Sequence, residues 1–292
     1  MTTSNNPEAI VIKFGGGLIT DKYASVPTVK KNVLQQLAKA LKQALDENIN
    51  IKEVYLVHGA GSFGHPRAKH WHLSGGKNDS VDYVPDGVCF TQEDALKQVR
   101  LEMIELSKHV TAALQSEGLS VISNAPHEWA RNNGPNFYGN LAKLQPKHRY
   151  EISLTWGDAV NVDDETHFGI LSGDDLVVRL ATEIPNVKRL IFCVGGGIDG
   201  ILRRPPDGMG GDRDHFNNSL ITVWCPKTKW NSYHDTKIDV TGGIGLKAQR
   251  GALVADICPH IAVQIINGEQ PKRVLKALLG KKVLGTIIKA KL

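Results

Sequence analysis

Residues 58–65 read His58-Gly59-Ala60-Gly61-Ser62-Phe63-Gly64-His65, directly after the apolar run Val54-Tyr55-Leu56-Val57. Three glycines and an alanine allow a sharp turn with unobstructed backbone N–H groups, the form of an anion-binding nest, and His65 adds a side-chain donor at its edge. Taken alone, the octapeptide reads more plainly as a glycine-rich turn with an incidental histidine. A second loop of the same layout weakens that reading: Lys13-Phe14-Gly15-Gly16-Gly17 follows the apolar strand Ile10-Val11-Ile12. Two phosphate-cradling loops, each ending an early strand, imply phosphoryl transfer.

Further residues suit the same chemistry. Lys13, at a strand end against three glycines, is placed to stabilise charge on a phosphoryl group in flight rather than merely to solvate a terminus. Ser172-Gly173-Asp174-Asp175 opens the apolar segment 176–181 and reads as a helix N-cap with an acidic first turn. Asp239-Val240-Thr241-Gly242-Gly243-Ile244-Gly245-Leu246-Lys247 is a third glycine turn at a helix start. His65, His70 and His72 would suit zinc by residue type, but Lys69, Trp71 and the lack of nearby acidic ligands argue against a metal site.

The elements that must hold these loops follow from apolar periodicity. Val29, Val33, Leu34, Leu37, Ala40, Leu41, Ala44 and Leu45 predict a helix over 28–46, and so a βαβ unit with the strands before each glycine loop. A second amphipathic helix is predicted over 91–117, with Thr91 and Asp94 marking its start. Strands at 119–123, 159–162, 188–194, 221–224, 261–266 and 283–288, with helices at 174–182 and 245–255, predict a three-layer αβα sandwich around an open, mainly parallel sheet. The polar stretch between His70 and Phe90 reads as a surface lid near a site mouth that orders on binding, and 203–219 as a long mobile loop between two halves.

Composition bounds the rest. With 292 residues, 41% of them hydrophobic, the chain is long enough for one large α/β domain with a substantial core. Its net charge of +5 is scattered through amphipathic segments, which argues against nucleic acid and suits an anionic small substrate. No apolar run is long enough to span a bilayer and the first residues lack a secretory pattern, so a cytoplasmic protein with no membrane partner is expected. Cys89, Cys193, Cys225 and Cys258 show no CxxC spacing and read as reduced thiols.

In order along the chain, Lys13–Gly17 with Ile19-Thr20-Asp21-Lys22, the 58–65 loop, Leu171-Ser172-Gly173-Asp174-Asp175 and Asp239–Gly243 resemble the amino acid kinase superfamily and, within it, the isopentenyl phosphate kinase family. The similarity covers nearly the whole chain. It implies one amino acid kinase domain over 1–292, with a phosphorylated acceptor held by the half 1–182 and ATP by the half 183–292, commonly as a homodimer. It assigns Lys13, Lys22 and Lys247 to the transferred charge and the ATP phosphates, and Asp174 to orienting lysines. His65 with Gly59, Ala60, Gly61 and Ser62 would hold the acceptor phosphate, near Gly157 and Asp158. The nucleotide side would comprise Gly15, Gly16, Gly17, Gly195, Asp199, Gly242, Gly243 and Lys247, with Mg²⁺ bridging the β and γ oxygens largely through water.

The implied reaction converts isopentenyl phosphate and ATP to isopentenyl diphosphate and ADP, in isoprenoid biosynthesis. Its nucleophile is a phosphate oxygen already anionic at neutral pH, so no general base is required. Related fosfomycin kinases share the terminal histidine, which keeps a kinase of another phosphate or phosphonate as the alternative. A weakened nucleotide-binding protein is a third reading, because Val194-Gly195-Gly196-Gly197 replaces polar side chains usual in the family. Ala60 stands where a glycine is common and fits only if its φ is negative or its side chain points away from the ligand. Phe90, Val99 and Met103 are candidates to line a tail pocket.

Overall fold

Along β1 (Glu8–Phe14), Ala9, Val11 and Lys13 alternate with Ile10, Ile12 and Phe14, and every one of these side chains is buried. A strand buried on both faces requires helices on both sides of its sheet. The structure, a computed structural model, describes residues 7–24, 26–81, 83–202, 220–227 and 243–291. The 203–219 loop anticipated above lies outside the described residues, as does most of 239–243.

After β1 come α1 (Gly16–Ile19), α2 (Lys31–Glu47), β2 (Ile51–His58), α3 (His65–His70), α4 (Gln92–Ser116), β3 (Ser120–Ser123) and α5 (Pro126–Trp129). The short strands β4 (Ala130–Arg131) and β5 (Tyr138–Gly139) precede β6 (Glu151–Trp156), β7 (Asp158–Asn161), β8 (Phe168–Leu171) and α6 (Gly173–Glu183). The chain closes with β9 (Val187–Val194), β10 (Val223–Trp224), α7 (Gly243–Ile257), β11 (Ala262–Asn267), α8 (Pro271–Leu278) and β12 (Thr286–Ile288).

Eight strands form the central sheet in the order β10-β12-β11-β9-β1-β2-β6-β3. Neighbours are parallel except for the antiparallel β11–β12 pair. Helices α2, α4 and α8 bury Leu37, Leu41, Met103, Leu106 and Leu278 against the face that carries Ile10, Ile12 and Leu56. Helices α6 and α7 bury Leu176, Leu180, Ala248 and Ala252 against Val11, Val57 and Phe192. Each fully buried Leu contributes about 1.5–3 kcal/mol of transfer free energy, so the two layers hold the sheet from both sides.

Two features position the site. The period of two puts Lys13 on the α6–α7 face, level with Val57 of β2 and Phe192 of β9. The adjacent strands β1 and β9 also lead in opposite directions, β1 to β2 on one side and β9 to β10 and β11 on the other, which makes a switch point at the carboxyl ends of these strands.

The structure departs from the periodicity reading in places. No strand was expected at 151–156, yet β6 lies between β2 and β3. Its Ser153 and Thr155 break the apolar pattern although both are buried. The 159–162 strand exists as β7 but pairs only with β8 in a separate hairpin. Helix α8 was also not anticipated.

The excursion between His70 and Phe90 is pinned to the fold rather than loose. Asp86 pairs with Arg67 of α3, accepts the Trp71 indole N–H at 3.0 Å and takes the Val88 and Cys89 amides. Gln92 donates to the carbonyl oxygens of Trp71 and Gly76 and to the Tyr83 hydroxyl. Among the described residues, no helix is long and apolar enough to cross a membrane.

Candidate functional site

A cleft of about 490 Å³ opens at the switch point. Its lining brings together the loops after β1 and β2, the first turn of α3, the start of α6, the loop after β9 and the first turn of α7. The two early glycine loops are in backbone contact there. A Cβ on Gly16 would stand 2.2 Å from the Gly61 nitrogen, and one on Gly61, at φ +57°, 1.9 Å from Thr20 Oγ1. Only glycine permits this approach. Ala60 is absent from the residues with positive φ, so its methyl group is accommodated and packs into the core.

The charged centre is built by a buried carboxylate. Asp174, 1% exposed at the start of α6, lies 2.5 Å from Lys13 Nζ through Oδ1 and 3.3 Å from Lys247 Nζ through Oδ2. Burial alone would raise its carboxyl, but the two ammonium groups outweigh burial and hold it below the usual carboxylate range. Ser172 caps α6 by accepting the Asp174 amide at 3.1 Å, which fixes the direction of this carboxylate. Asp174 stands behind Lys13 and does not itself line the cleft.

Other expected residues reach the same space. Lys22 lines the cleft and packs so tightly on Gly17 that a Cβ there would stand 2.4 Å from Lys22 Cε. His65, Gly15, Gly59, Gly157, Asp158, Gly195 and Gly243 line it as well. Asp158 is buried, with Oδ2 at 2.6 Å from His127 Nδ1 and Oδ1 accepting its neighbour's amide, that of Ala159, so its charge is already engaged by protein donors.

Three expected residues are placed differently. The Ser62 amide donates to Thr20 Oγ1 at 3.0 Å and its hydroxyl oxygen accepts the Thr28 amide at 3.2 Å, so Ser62 ties loop to loop instead of facing the cleft. Gly61 is turned into the same contact and is not among the lining residues. Asp199 binds Arg273 and Asn267 and also stands away from the cleft. Gly242 lies outside the described residues.

The three-glycine turn after β9 is likewise engaged: the Gly196 and Gly197 amides donate to the Glu269 carboxylate at 3.1 and 2.9 Å. His70 meets the Val84 carbonyl at 2.7 Å, while His72 packs edge-on against Tyr83. Among the described residues no group of three His, Cys, Asp or Glu side chains is arranged to hold a metal.

Two residues were given no role by the reading of motifs. Lys30 lines the cleft and donates to the Gly17 carbonyl at 3.2 Å. Its signal lay in the boundary of α2, which begins at Lys31 rather than at 28, leaving Lys30 outside the helix and able to reach back. His58, at the end of β2, is fully buried and stacks on Trp156 at 5.4 Å. Its Nδ1–H donates to the Gly59 carbonyl, Nε2 has no partner, and burial lowers its pKa to about 4, so the imidazole is neutral.

Part of the cleft lining is apolar. Ala60, Ala68, Val99, Met103 and Ile170 line this part, whereas Phe90 is 70% exposed and is not among them. The arrangement therefore combines four lysines, Lys13, Lys22, Lys30 and Lys247, with a hydrophobic wall. It can hold polyphosphate oxygens together with a short hydrocarbon.

Comparison with known proteins agrees with this geometry. The amino acid kinase family profile matches residues 8–213. An isopentenyl phosphate kinase of Thermoplasma acidophilum is 30% identical over 96% of this chain and all of its own length. Another from Methanothermobacter thermautotrophicus is 28% identical over 97% of this chain and 99% of its own. Among solved structures, one described as isopentenyl phosphate kinase superposes with a TM-score of 0.74 at 22% identity, covering 97% of this chain and all of that one. A substrate complex of isopentenyl phosphate kinase superposes at 0.68 with 23% identity, over 97% of this chain and all of that one.

Proposed function

Because the chain belongs to the amino acid kinase family, we propose that it transfers the γ-phosphoryl group of ATP to isopentenyl phosphate, giving isopentenyl diphosphate and ADP for isoprenoid biosynthesis. The observation that carries the substrate is the meeting in one cleft of lysines, His65 and an apolar wall of Ala68, Val99, Met103 and Ile170. A phosphate with a short branched hydrocarbon matches both. A purely polar acceptor would leave the wall unused.

An anionic acceptor oxygen attacks the γ-phosphorus, the bond to the β–γ bridging oxygen breaks, and ADP leaves with the electron pair. The second pKa of the acceptor phosphate is about 6, so no side chain need remove a proton. Lys13 and Lys247, held on either side of Asp174, would neutralise charge on the phosphoryl group as it moves, and Lys22 would meet the terminal phosphate. His65, with the Ala60 amide, would hold a non-transferring oxygen of the acceptor, the Gly59 amide being spent on the Phe14 carbonyl at 2.9 Å.

Mg²⁺ would be brought by the nucleotide with water completing its shell; among the described residues no group of three His, Cys, Asp or Glu side chains is arranged to hold it. When bound it spreads the triphosphate charge. The acceptor would occupy the half 1–182 and ATP the half 183–292, in a cytoplasmic homodimer whose mass light scattering would measure.

The test is ADP release from Mg-ATP across a panel of isopentenyl phosphate, short alkyl phosphates and fosfomycin. Isopentenyl phosphate should be turned over best, and His65→Ala should lower kcat/KM about 100-fold without unfolding the chain. Turnover confined to a phosphonate would replace the proposed substrate. ATP binding with no turnover of any acceptor would leave a nucleotide-binding protein.

A further inference from the structure

Lys247 is held less firmly than its role demands. Its ammonium has one long ion pair, 3.3 Å to Asp174, and a 3.1 Å hydrogen bond to the Gly243 carbonyl of its own helix. A flexible four-carbon side chain restrained in this way takes its position mainly from the backbone that carries it. What sets that backbone, the first turns of α7, therefore sets the ammonium.

One turn further along α7, Arg250 donates through Nε to Asp175 Oδ1 at 2.6 Å. Asp175 is the residue next to Asp174 on α6, and its side chain is 7% exposed against 23% for Arg250. Residues three apart on a helix share a face, so two consecutive carboxylates of α6 grip two cations one turn apart on α7. Neither Asp175 nor Arg250 lines the cleft. Burial raises the Asp175 carboxyl above its ordinary value, and the guanidinium opposes part of that rise. Around the pair, α6 and α7 are packed by small and aliphatic side chains such as Ala248, Ala252, Leu176 and Leu180, among which the ion pair is a directional contact.

We propose that Arg250 and Asp175 are positioning residues that fix the rotation and register of α7 on α6 so that Lys247 reaches the nucleotide phosphates. The inference rests on the kinase reading above and assigns to the pair no contact with substrate. A purely structural pair would matter equally whatever residue stands at 247. A positioning pair matters only through Lys247.

The experiment measures kcat, both KM values and calorimetric Mg-ATP affinity for Arg250→Met, Arg250→Lys and the double change Asp175→Asn/Arg250→Met, each with and without Lys247→Met. Arg250→Met should lower kcat/KM for ATP and ATP affinity about tenfold or more, a loss of the size caused by small misplacement of a charged group. KM for the acceptor should stay within about twofold, and Arg250→Lys should recover most of the loss. Combined with Lys247→Met, the Arg250 change should cost less than about twofold further.

Equal losses with and without Lys247→Met, or a folded Arg250→Met enzyme with unchanged ATP kinetics, overturn the proposal. If Arg250→Met does not fold, the double change, which leaves no buried charge unpaired, takes its place in the same comparison. Absence of turnover with isopentenyl phosphate in the parent protein counts against the substrate reading alone, and the ATP affinities then decide on the pair by the same criterion.

Discussion

Asp174→Asn is the most discriminating single change, because one buried carboxylate answers two ammonium groups. At 2.5 and 3.3 Å, and with an effective dielectric constant of about 20, each attraction is worth roughly 5–7 kcal/mol before desolvation is charged against it. Removing one member of such a buried cluster typically costs about 3–5 kcal/mol net, because the remaining charge is stranded. Lys13 is 4% exposed, so the loss falls in that range. For a chain of this size it corresponds to a melting temperature lowered by about 6–10 °C.

The asparagine keeps the shape but presents an amide N–H₂ to one of the two lysines. Both ammonium groups shift, and kcat should fall about 10²–10³-fold. Coupled ADP release and thermal unfolding measure the two effects on the same preparation. The pH dependence adds an internal check. The Asp174 carboxyl is held below its ordinary value in the folded chain, so its stabilisation is complete above the unfolded pKa of about 4 and is lost as acid carries it through the folded value. The stability gap between parent and variant should therefore stay constant from about pH 8 to 5 and close only below about pH 4. A variant with kcat within about threefold of the parent, or a gap that changes near neutrality, would refute the reasoning.

His58 titrates in the opposite sense to a paired histidine. Its folded pKa of about 4 lies below the ordinary imidazole value of 6.5, so between these values the unfolded chain binds a proton that the folded chain refuses. Stability should be complete above pH 6.5 and fall by up to about 3 kcal/mol as pH drops toward 4, a slope that His58→Phe should remove while keeping the stack on Trp156; equal urea midpoints against pH in parent and variant would contradict this. Met103→Ala opens the apolar wall next to Val99, and the ratio of kcat/KM for a ten-carbon over a five-carbon prenyl phosphate should rise at least about tenfold, since each methylene accommodated is worth about 1–3 kcal/mol. An unchanged ratio in steady-state assays would move the tail elsewhere.

Legibility differed by element. Strands β1, β2, β9 and β11 and helices α2, α4, α6 and α7 were readable because their apolar periods are long and uninterrupted. Strand β6 was not, since buried Ser153 and Thr155 look like a solvated face until β2 and β3 are seen on either side; Thr155 donates to the Asn124 carbonyl at 3.0 Å, which satisfies its hydroxyl. The lid reading of 70–90 failed for a related reason. A polar composition says nothing of Asp86, whose partners lie on α3 and in its own turn.

By itself the sequence determined the parts: glycine loops after β1 and β2, a lysine before the first, a histidine after the second, and a capped acidic start to α6. These are local requirements, set by which residues permit a tight turn, end a strand or begin a helix. Tertiary structure decided which parts meet. Only the sheet order brings Lys13 and Lys247 onto one carboxylate, with Lys247 and Asp174 73 residues apart. Contact between the glycine loops spends the Ser62 amide on Thr20, and Asn267 and Arg273 hold Asp199 away from the cleft. Such choices depend on the register of strands and the rotation of helices, which are fixed by packing summed over the whole core and leave no mark at the positions they govern.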